Sequence, residues 1–347
     1  MTDATPWDGD LDRYPVAEAG DELGDVPVID LGPLGDGHSA DADAGARAVA
    51  DAVGAAARDW GFFQVVNHGV DPRLIDAAWA VTRAFFALPM GMKETQLRTR
   101  ENPWGYYNNE LTKNQRDRKE VFDFTTGGRD PIYGSENRWP TRPGDFRSSL
   151  SAYRDNVTAV GRRLLRAFSA GLGHAPSHFD ALFGEAHTGF VRLNYYPVAD
   201  PLANSATDHQ PTADLGVHHH TDAGALTVLM QDSVGGLQVF RAGRWHNVRP
   251  IEGAFVINTG DMMQVWSNDI YQAAVHRVLA MDTTDRFSIP FFFNPVADAV
   301  VEPLPATVTG SRPARYRPIP WSDFRYQRTD GDYADYGPEV QIGQYRI

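Results

Sequence analysis

The sequence predicts a mainly β protein with flanking helices, in which a double-sheet roll is buttressed by an N-terminal helical part. Three observations predict it. Short strand-like runs broken by Gly, Asn, Asp and Pro recur from residue 189 to residue 293, the texture of a sandwich or barrel. Helical periodicity is concentrated before residue 173. Imidazole and carboxylate side chains fall at strand spacing inside the β-rich part, at His220-Thr221-Asp222 and again at His276.

Taken in order, residues 1–25 are acidic, rich in Gly and Pro, and without apolar periodicity, which predicts a flexible tail. Val26–Leu31 is a short apolar strand whose Pro27 predicts an edge or a strand start. A Gly/Asp-rich loop over 32–43 leads into a helix to about Asp59, with Val49, Ala52, Val53 and Ala56 at helical spacing. Trp60–Gly69 is aromatic and β-branched, a buried strand followed by a turn. Asp71-Pro72 opens a second helix, proline being tolerated in the first turn, and Leu88-Pro89 ends it. Residues 101–145 are irregular with short strands, among them Glu120–Phe124. An amphipathic helix over 146–172 carries Leu150, Tyr153, Val157, Val160, Leu164 and Phe168 on one stripe. The strand-like runs then fall at 189–196, 215–220, 225–231, 236–241, 244–249, 254–258, 262–266, 273–280 and 286–293. A tail from Arg312 to Ile347, rich in Tyr and Arg, closes the chain. Residues 26–188, 189–295 and 296–347 are expected to form a single domain, the last segment as a cover.

The chain of 347 residues has 32 Lys plus Arg against 45 Asp plus Glu, a formal charge of −13. That balance argues against a nucleic-acid partner or an anionic membrane surface, and an anionic substrate would need a local cation. There is no cysteine, so metal binding must use nitrogen and oxygen ligands. The N-terminus lacks the basic start and apolar core of a secretory signal. No run approaches the ~18 apolar residues of a membrane span. The expectation is a soluble cytoplasmic protein with a small-molecule substrate; the sequence sets no oligomeric state, and a monomer is compatible with it.

Two residues apart on an extended chain, His220 and Asp222 point the same way. With His276 from a second strand they could occupy one face of a metal's octahedron, an arrangement suited to non-haem Fe(II) and O2. A lone histidine is more often a satisfied structural group, so the argument rests on the set. Strand parity also puts His218 on the His220 face, as a rival ligand or pocket lining, and turns His219 away. Arg286 and Ser288 share one face of an apolar strand ending in Phe291-Phe292-Phe293. A guanidinium buried there needs a counter-charge, which a ligand carboxylate would supply through a bidentate fork. In Arg192–Pro197, the side chains of Arg192, Asn194 and Tyr196 share a face.

These segments, with Val26–Leu31, Asp59–Gly69, Asn258–Asp261 and Ala274–Arg277, resemble the isopenicillin N synthase-like branch of the Fe(II)- and 2-oxoglutarate-dependent oxygenases. They run from residue 26 to about 295 in that family's order and spacing. The resemblance implies a distorted double-stranded β-helix, or jelly roll, of cupin-like form. It implies that His220, Asp222 and His276 are the catalytic Fe(II) ligands. It implies also that Arg286 and Ser288, assisted by Tyr196 and Asn194, hold 2-oxoglutarate. The implied reaction is hydroxylation, desaturation or cyclisation at an unactivated C–H bond of a small metabolite, with O2 consumed and succinate and CO2 released.

For the substrate, Arg192 could reach a carboxylate or hydroxyl, and Phe292 falls on the Arg286 face. From 121–124, either Val121 and Asp123 or Phe122 and Phe124 face inward, and Tyr106 and Tyr107 could come from a lid loop. Two rivals remain open at this point: an Fe(II) oxidase that uses no 2-oxoglutarate, and a non-catalytic jelly-roll binding protein. A nucleic-acid demethylase on the same metal site is disfavoured by the charge.

Overall fold

The computed structural model describes residues 11–18, 25–34, 40–112, 114–203, 214–332 and 340–347. Its elements run β1 (Val28–Asp30), α1 (Ala40–Asp59), β2 (Phe62–Val66), α2 (Pro72–Phe86), α3 (Met90–Lys93), β3 (Gly105–Tyr107), β4 (Leu111–Thr112), β5 (Gln115–Arg116), β6 (Glu120–Thr125) and α4 (Phe146–Gly171). The β-rich part follows with β7 (Phe190–Tyr196), β8 (Leu215–His220), β9 (Leu226–Gln231), β10 (Leu237–Arg241), β11 (Arg244–Asn247), β12 (Phe255–Thr259), α5 (Asp261–Trp266), β13 (His276–Leu279) and β14 (Arg286–Phe293). The chain ends through β15 (Val300–Val301), β16 (Ile319–Pro320) and α6 (Trp321–Asp330).

Alternating side chains divide the large sheet, of order β1-β2-β12-β9-β14-β7-β6-β3, into two faces. Phe63, Val65, Val191, Leu193, Ile257, Ile289, Phe291 and Phe293 point outward into a core shared with Val53, Phe85, Tyr153, Val157 and Leu164 of α1, α2 and α4. The α4 stripe read from the sequence is the face that beds on this sheet; Tyr153 also donates a hydrogen bond to the Ile289 carbonyl at 3.2 Å. The other face meets the smaller sheet, β11-β10-β13-β8, across Phe62, Leu229, Val256, Val217, Leu237, Val239 and Val278. Burial of side chains from both sheets makes the jelly roll, open at the end where the site lies.

Two glycines in the sequence segments that carried the resemblance have a steric task. A Cβ on Gly61, at φ +61°, would stand 2.2 Å from the Gln272 carbonyl oxygen. A Cβ on Gly260 would stand 2.3 Å from the Gly224 oxygen and 2.8 Å from that of Asp222. Only a bare backbone lets the β12–α5 turn approach the segment that carries the acidic residue of the site.

Three expectations need correction. Residues 262–266 form α5, not a strand, because every residue of that turn and a half is buried, and period alone cannot tell a short buried helix from a strand. Part of the expected tail is ordered: Leu11 is buried, Trp245 Nε1 donates to its carbonyl at 3.0 Å, and the Ala17 amide donates to the Trp245 carbonyl at 2.8 Å. Residues 1–10 and 19–24 lie outside the described residues. The expected C-terminal cover contains a helix, α6, which the Tyr and Arg content had not revealed. Pro27 does mark an edge, since β1 ends the large sheet, paired in parallel with β2.

No helix among the described residues is long and apolar enough to cross a membrane. Just before β7, His187 packs edge-on against Phe291 and Phe293 and accepts the Gly189 amide through Nδ1 at 3.1 Å. Burial pushes its imidazole down from 6.5 to about 4. A depressed histidine stabilises the fold above its unfolded pKa and loses that contribution as the pH falls toward the folded value. Between pH 7 and pH 5 this group is therefore expected to cost about 2 kcal/mol of unfolding free energy. Urea titrations at both pH values should show a smaller pH dependence in His187→Gln than in the parent; equal slopes would contradict the assignment.

Candidate active site

The pairing of β8 with β13 sets His220 opposite His276, with ring centroids 4.3 Å apart. The next pair is Val217 with Val278, so His218 and His219 together oppose Arg277 alone. This bulge resets the alternation. Val217 and His220 consequently line the same two cavities. His218, expected on that face by simple parity, lines neither; its Nδ1 lies 3.3 Å from Asp117 Oδ1 instead.

Each imidazole is oriented by its own backbone. Nδ1 of His220 meets the His218 carbonyl at 2.8 Å and Nδ1 of His276 meets that of Ala274 at 3.0 Å. A carbonyl can only accept, so both Nδ1 atoms carry the proton and both Nε2 lone pairs are free. Asp222 follows β8 and is held from the opposite sheet: Thr227 of β9 and Asn258 of β12, the latter at 2.8 Å, donate to its Oδ2. Its Oδ1 is left 3.7 Å from each Nε2. Burial and then the neighbouring His276 hold the His220 pKa low, so it remains a neutral donor. Burial raises the Asp222 carboxyl, but His276, His220 and the two hydrogen bonds outweigh it, and the net shift is downward. One carboxylate and two imidazoles, with ligand atoms all within 4.8 Å of one another, fit a divalent metal of intermediate softness.

Deeper between the sheets, a cavity of ≈ 70 Å³ runs from this trio to Arg286. Arg286 is 1% exposed, and its Nε has no hydrogen-bond partner among the described residues. Its contacts are Ser288 Oγ at 3.5 Å and the Tyr196 ring, 4.8 Å from the guanidinium carbon. Register explains the grouping, because Arg286 faces Tyr196 and Ser288 faces Asn194 across β14 and β7. Asn194 donates to Ser288 Oγ at 3.2 Å. A buried cation lacking an acid fits the distal carboxylate of 2-oxoglutarate.

A second cavity of ≈ 110 Å³ opens on the other side of the trio, under α6. Phe292, as expected, lines both cavities, stacked on Phe190 with ring centroids 4.6 Å apart. Arg192 also lines both, but it is not free to hold a substrate anion. It donates to Asp123 at 2.8 Å and to Glu110 at 2.7 Å and 2.9 Å. Glu110 and Asp123 also bind Arg98, each at 2.6 Å, while Lys119 bridges Glu110 at 2.6 Å and Asp117 at 2.9 Å. Three cations and three carboxylates thus neutralise one another in a buried cluster.

The two readings of 121–124 are separated by the register of β6 on β7. Val121 faces Asn194 and Asp123 faces Arg192, so these two share the pocket side of the sheet. Neither lines a cavity; Asp123 acts only through Arg192. Phe122 and Phe124 turn into the outer core against Phe146 and Trp139, which removes them from the site. Tyr106 is no lid residue: it is buried opposite Phe122 and donates to Glu120 at 2.7 Å. Tyr107 pairs with Val121 and lies under Arg98, away from both cavities. Sequence reasoning missed Glu110, Lys119, Trp321, Arg325, Arg328 and Thr329, which line the second cavity. The spacing of Trp321, Arg325 and Arg328–Thr329 is one helix face, a signal readable only once a helix is assigned there.

Comparison with known proteins decides the family. Residues 187–295 match the 2OG-Fe(II) oxygenase superfamily, and residues 26–142 match the family described as non-haem dioxygenase in morphine synthesis N-terminal. The chain is 33% identical over 310 residues to jasmonate-induced oxygenase 1 of Arabidopsis thaliana, covering 88% of this chain and 73% of that protein. It belongs to the 2-oxoglutarate- and Fe(II)-dependent oxygenases. Flavone synthase of Petroselinum crispum is 34% identical over 298 residues, 85% of this chain and 78% of that protein. Among solved structures of this oxygenase family, JOX2 in complex with 2OG, Fe and JA superimposes with a TM-score of 0.77 at 30% identity, covering 97% of this chain and 93% of that one. The dioxygenase for auxin oxidation in rice gives 0.69 at 28% identity, covering 93% and 100%. As an oxygenase of this family the protein is a non-haem, Fe(II)- and 2-oxoglutarate-dependent dioxygenase. The relatives favour neither an oxidase without 2-oxoglutarate nor a non-catalytic binding protein.

Two substitutions separate structure from ligand binding in this oxygenase. Arg286→Gln is expected to weaken 2-oxoglutarate by about 10- to 100-fold, the loss of a charge-assisted pair, in calorimetric titration of Fe(II)-loaded protein. Arg192→Met is expected to destabilise the fold by about 3–5 kcal/mol in urea, since it leaves three buried carboxylates with only Arg98 and Lys119 to balance them. A fully stable Arg192→Met protein would return Arg192 to the list of substrate ligands.

Proposed function

We propose that residues 26–347 act as one oxygenase unit in which His220, Asp222 and His276 hold Fe(II), and Arg286 and Ser288 hold 2-oxoglutarate. The substrate is a small organic metabolite in the cavity beneath α6. The overall change is a substrate C–H, 2-oxoglutarate and O2 going to C–OH, succinate and CO2; desaturation or ring closure are the variants the same site permits. Bound iron supplies the oxidising chemistry. The observation that carries the reading is the convergence of two Nε2 atoms and Asp222 Oδ1 on one cavity, which ends at a buried arginine with no ion-paired acid among the described residues, while His220 and Asp222 also face the second cavity.

The chain's own residues bind, orient and exclude water. The Nδ1–carbonyl bonds orient both imidazoles with Nε2 toward the site, and the Thr227 and Asn258 bonds keep one Asp222 oxygen occupied and the other facing inward. Arg286 neutralises the far carboxylate of the co-substrate, with Ser288 and Asn194 as a hydroxyl–amide pair and Tyr196 as an apolar floor. Phe292 and Val217 keep the common wall dry. No residue needs to serve as a general base, so the Asp222 carboxylate is a ligand and not a proton acceptor.

Jasmonate-induced oxygenases, flavone synthase and flavonol synthase among the relatives support a small organic substrate. The test is an anaerobic titration: Fe(II) followed by 2-oxoglutarate should produce a metal-to-ligand charge-transfer band, and admission of air should release succinate. Asp222→Ala should bind Fe(II) at least about 100-fold more weakly and show no band. Oxygen uptake without added 2-oxoglutarate, or a band that survives Asp222→Ala, would sink the proposal.

A further inference from the structure

The second cavity holds a charge that the proposed function leaves unused. Four basic residues line it: Lys119, Arg192, Arg325 and Arg328. Three are engaged. Lys119 and Arg192 belong to the balanced cluster with Glu110, Asp117 and Asp123. Arg328 donates to the carbonyls of Thr221 at 2.9 Å and Val340 at 3.1 Å.

Arg325 differs from them. Among the described residues no carboxylate forms an ion pair with it, and its contact is the face of Phe190, 4.5 Å from the guanidinium carbon. The carboxylate of Asp130 is close enough to feel its charge but forms no ion pair with it among the described residues, and its Oδ1 accepts the amides of Ile132 and Tyr133, each at 2.8 Å. Of the acids on the cavity wall, Asp222 belongs to the trio, Glu110 is matched by three cations and Asp332 lies 4.0 Å from Arg98. Arg325 is half-buried and shares a helix face with Trp321 and Thr329, which line the same cavity. The helix is pinned by Trp321 Nε1 to Thr188 at 2.8 Å and by Asp330 to Arg100 at 2.8 Å and 2.9 Å. The helix that carries Arg325 is therefore anchored at both ends, and the guanidinium rests on the Phe190 ring.

We infer that Arg325 is the receptor for a carboxylate on the substrate, which is an organic acid whose apolar body lies against Phe190 and Phe292 and whose oxidised carbon is at the opposite end, beside His220 and Asp222. The inference rests on the function proposed above and deepens it. A planar carboxylate matches the guanidinium fork with two parallel hydrogen bonds, which a neutral ester or amide cannot equal. In a chain of net charge −13 a lone cavity cation also makes a local minimum for an anion that the molecule as a whole repels. The balanced cluster behind it cannot take that role, because a further anion there would displace a carboxylate already paired.

The test uses the full chain loaded with Fe(II) and 2-oxoglutarate under nitrogen. Phenylacetate, hydrocinnamate and cyclohexanecarboxylate are each titrated calorimetrically beside their methyl esters and primary amides. At least one acid is expected to bind about 10-fold or more tightly than both of its neutral forms, as a charge-assisted pair requires. Arg325→Gln should bring that acid and its amide to within about twofold, and Arg325→Lys should keep part of the preference while losing the fork. No acid preferred over its amide in the parent protein, or a preference that survives Arg325→Gln, overturns the inference. The charge-transfer band recorded before any acid is added tests the underlying function separately. Its absence sinks that function, whereas its presence with no preference for acids sinks only the role of Arg325.

Discussion

The bulged pairing of β8 with β13 is the constraint on which the rest of the site depends. It brings two imidazoles side by side, ring centroids 4.3 Å apart, while carbonyls two residues earlier in the chain aim them. In a regular strand, His220 and Val217, three residues apart, would fall on opposite faces; the bulge at 218–219 puts them on one. Asp222 completes the trio from beyond the strand end, where its free oxygen is defined by bonds to the other sheet. The trio is thus a joint between the two sheets, and packing of the roll and geometry of the site are one requirement.

Around that joint, charge is managed in two opposite ways. The cluster of Arg98, Lys119 and Arg192 with Glu110, Asp117 and Asp123 is buried and self-neutralising. Ion pairs of this kind contribute little net stability but are costly to break, so they act as rigid wall. Asp117 extends the wall to His218, which ties the cluster to the bulge. Arg286 and Arg325 are the exceptions, each a cation with no ion-paired acid among the described residues. A protein tolerates such groups where a ligand supplies the missing charge, one in each cavity and one on each side of the trio.

Sequence reasoning succeeded where chemistry and local period coincide. Residues two apart on one uninterrupted strand, as in Arg286/Ser288 and Asn194/Tyr196, stayed together because nothing broke their alternation. Gly61 and Gly260 were visible as parts of motifs, although the close backbone approach that needs them was not. Reasoning failed where a long-range contact overrides local pattern. His218 was misplaced by a bulge that only the partner strand creates. Arg192 looked like a ligand for substrate because Glu110 and Asp123 come from other segments. Phe122 and Phe124 could be assigned only once the register of β6 on β7 was known.

By itself, then, the sequence determined the family, the roll with its helical buttress, and the donor types of the metal and co-substrate sites, because these rest on residue chemistry and on short, local spacings. The tertiary structure alone decided which cations are spent and which are available, that residues 262–266 wind into α5, and that α6 returns to roof the second cavity. Those outcomes depend on distant segments meeting in space, such as Asp330 with Arg100, which are 230 residues apart in the chain. No local period encodes such a meeting.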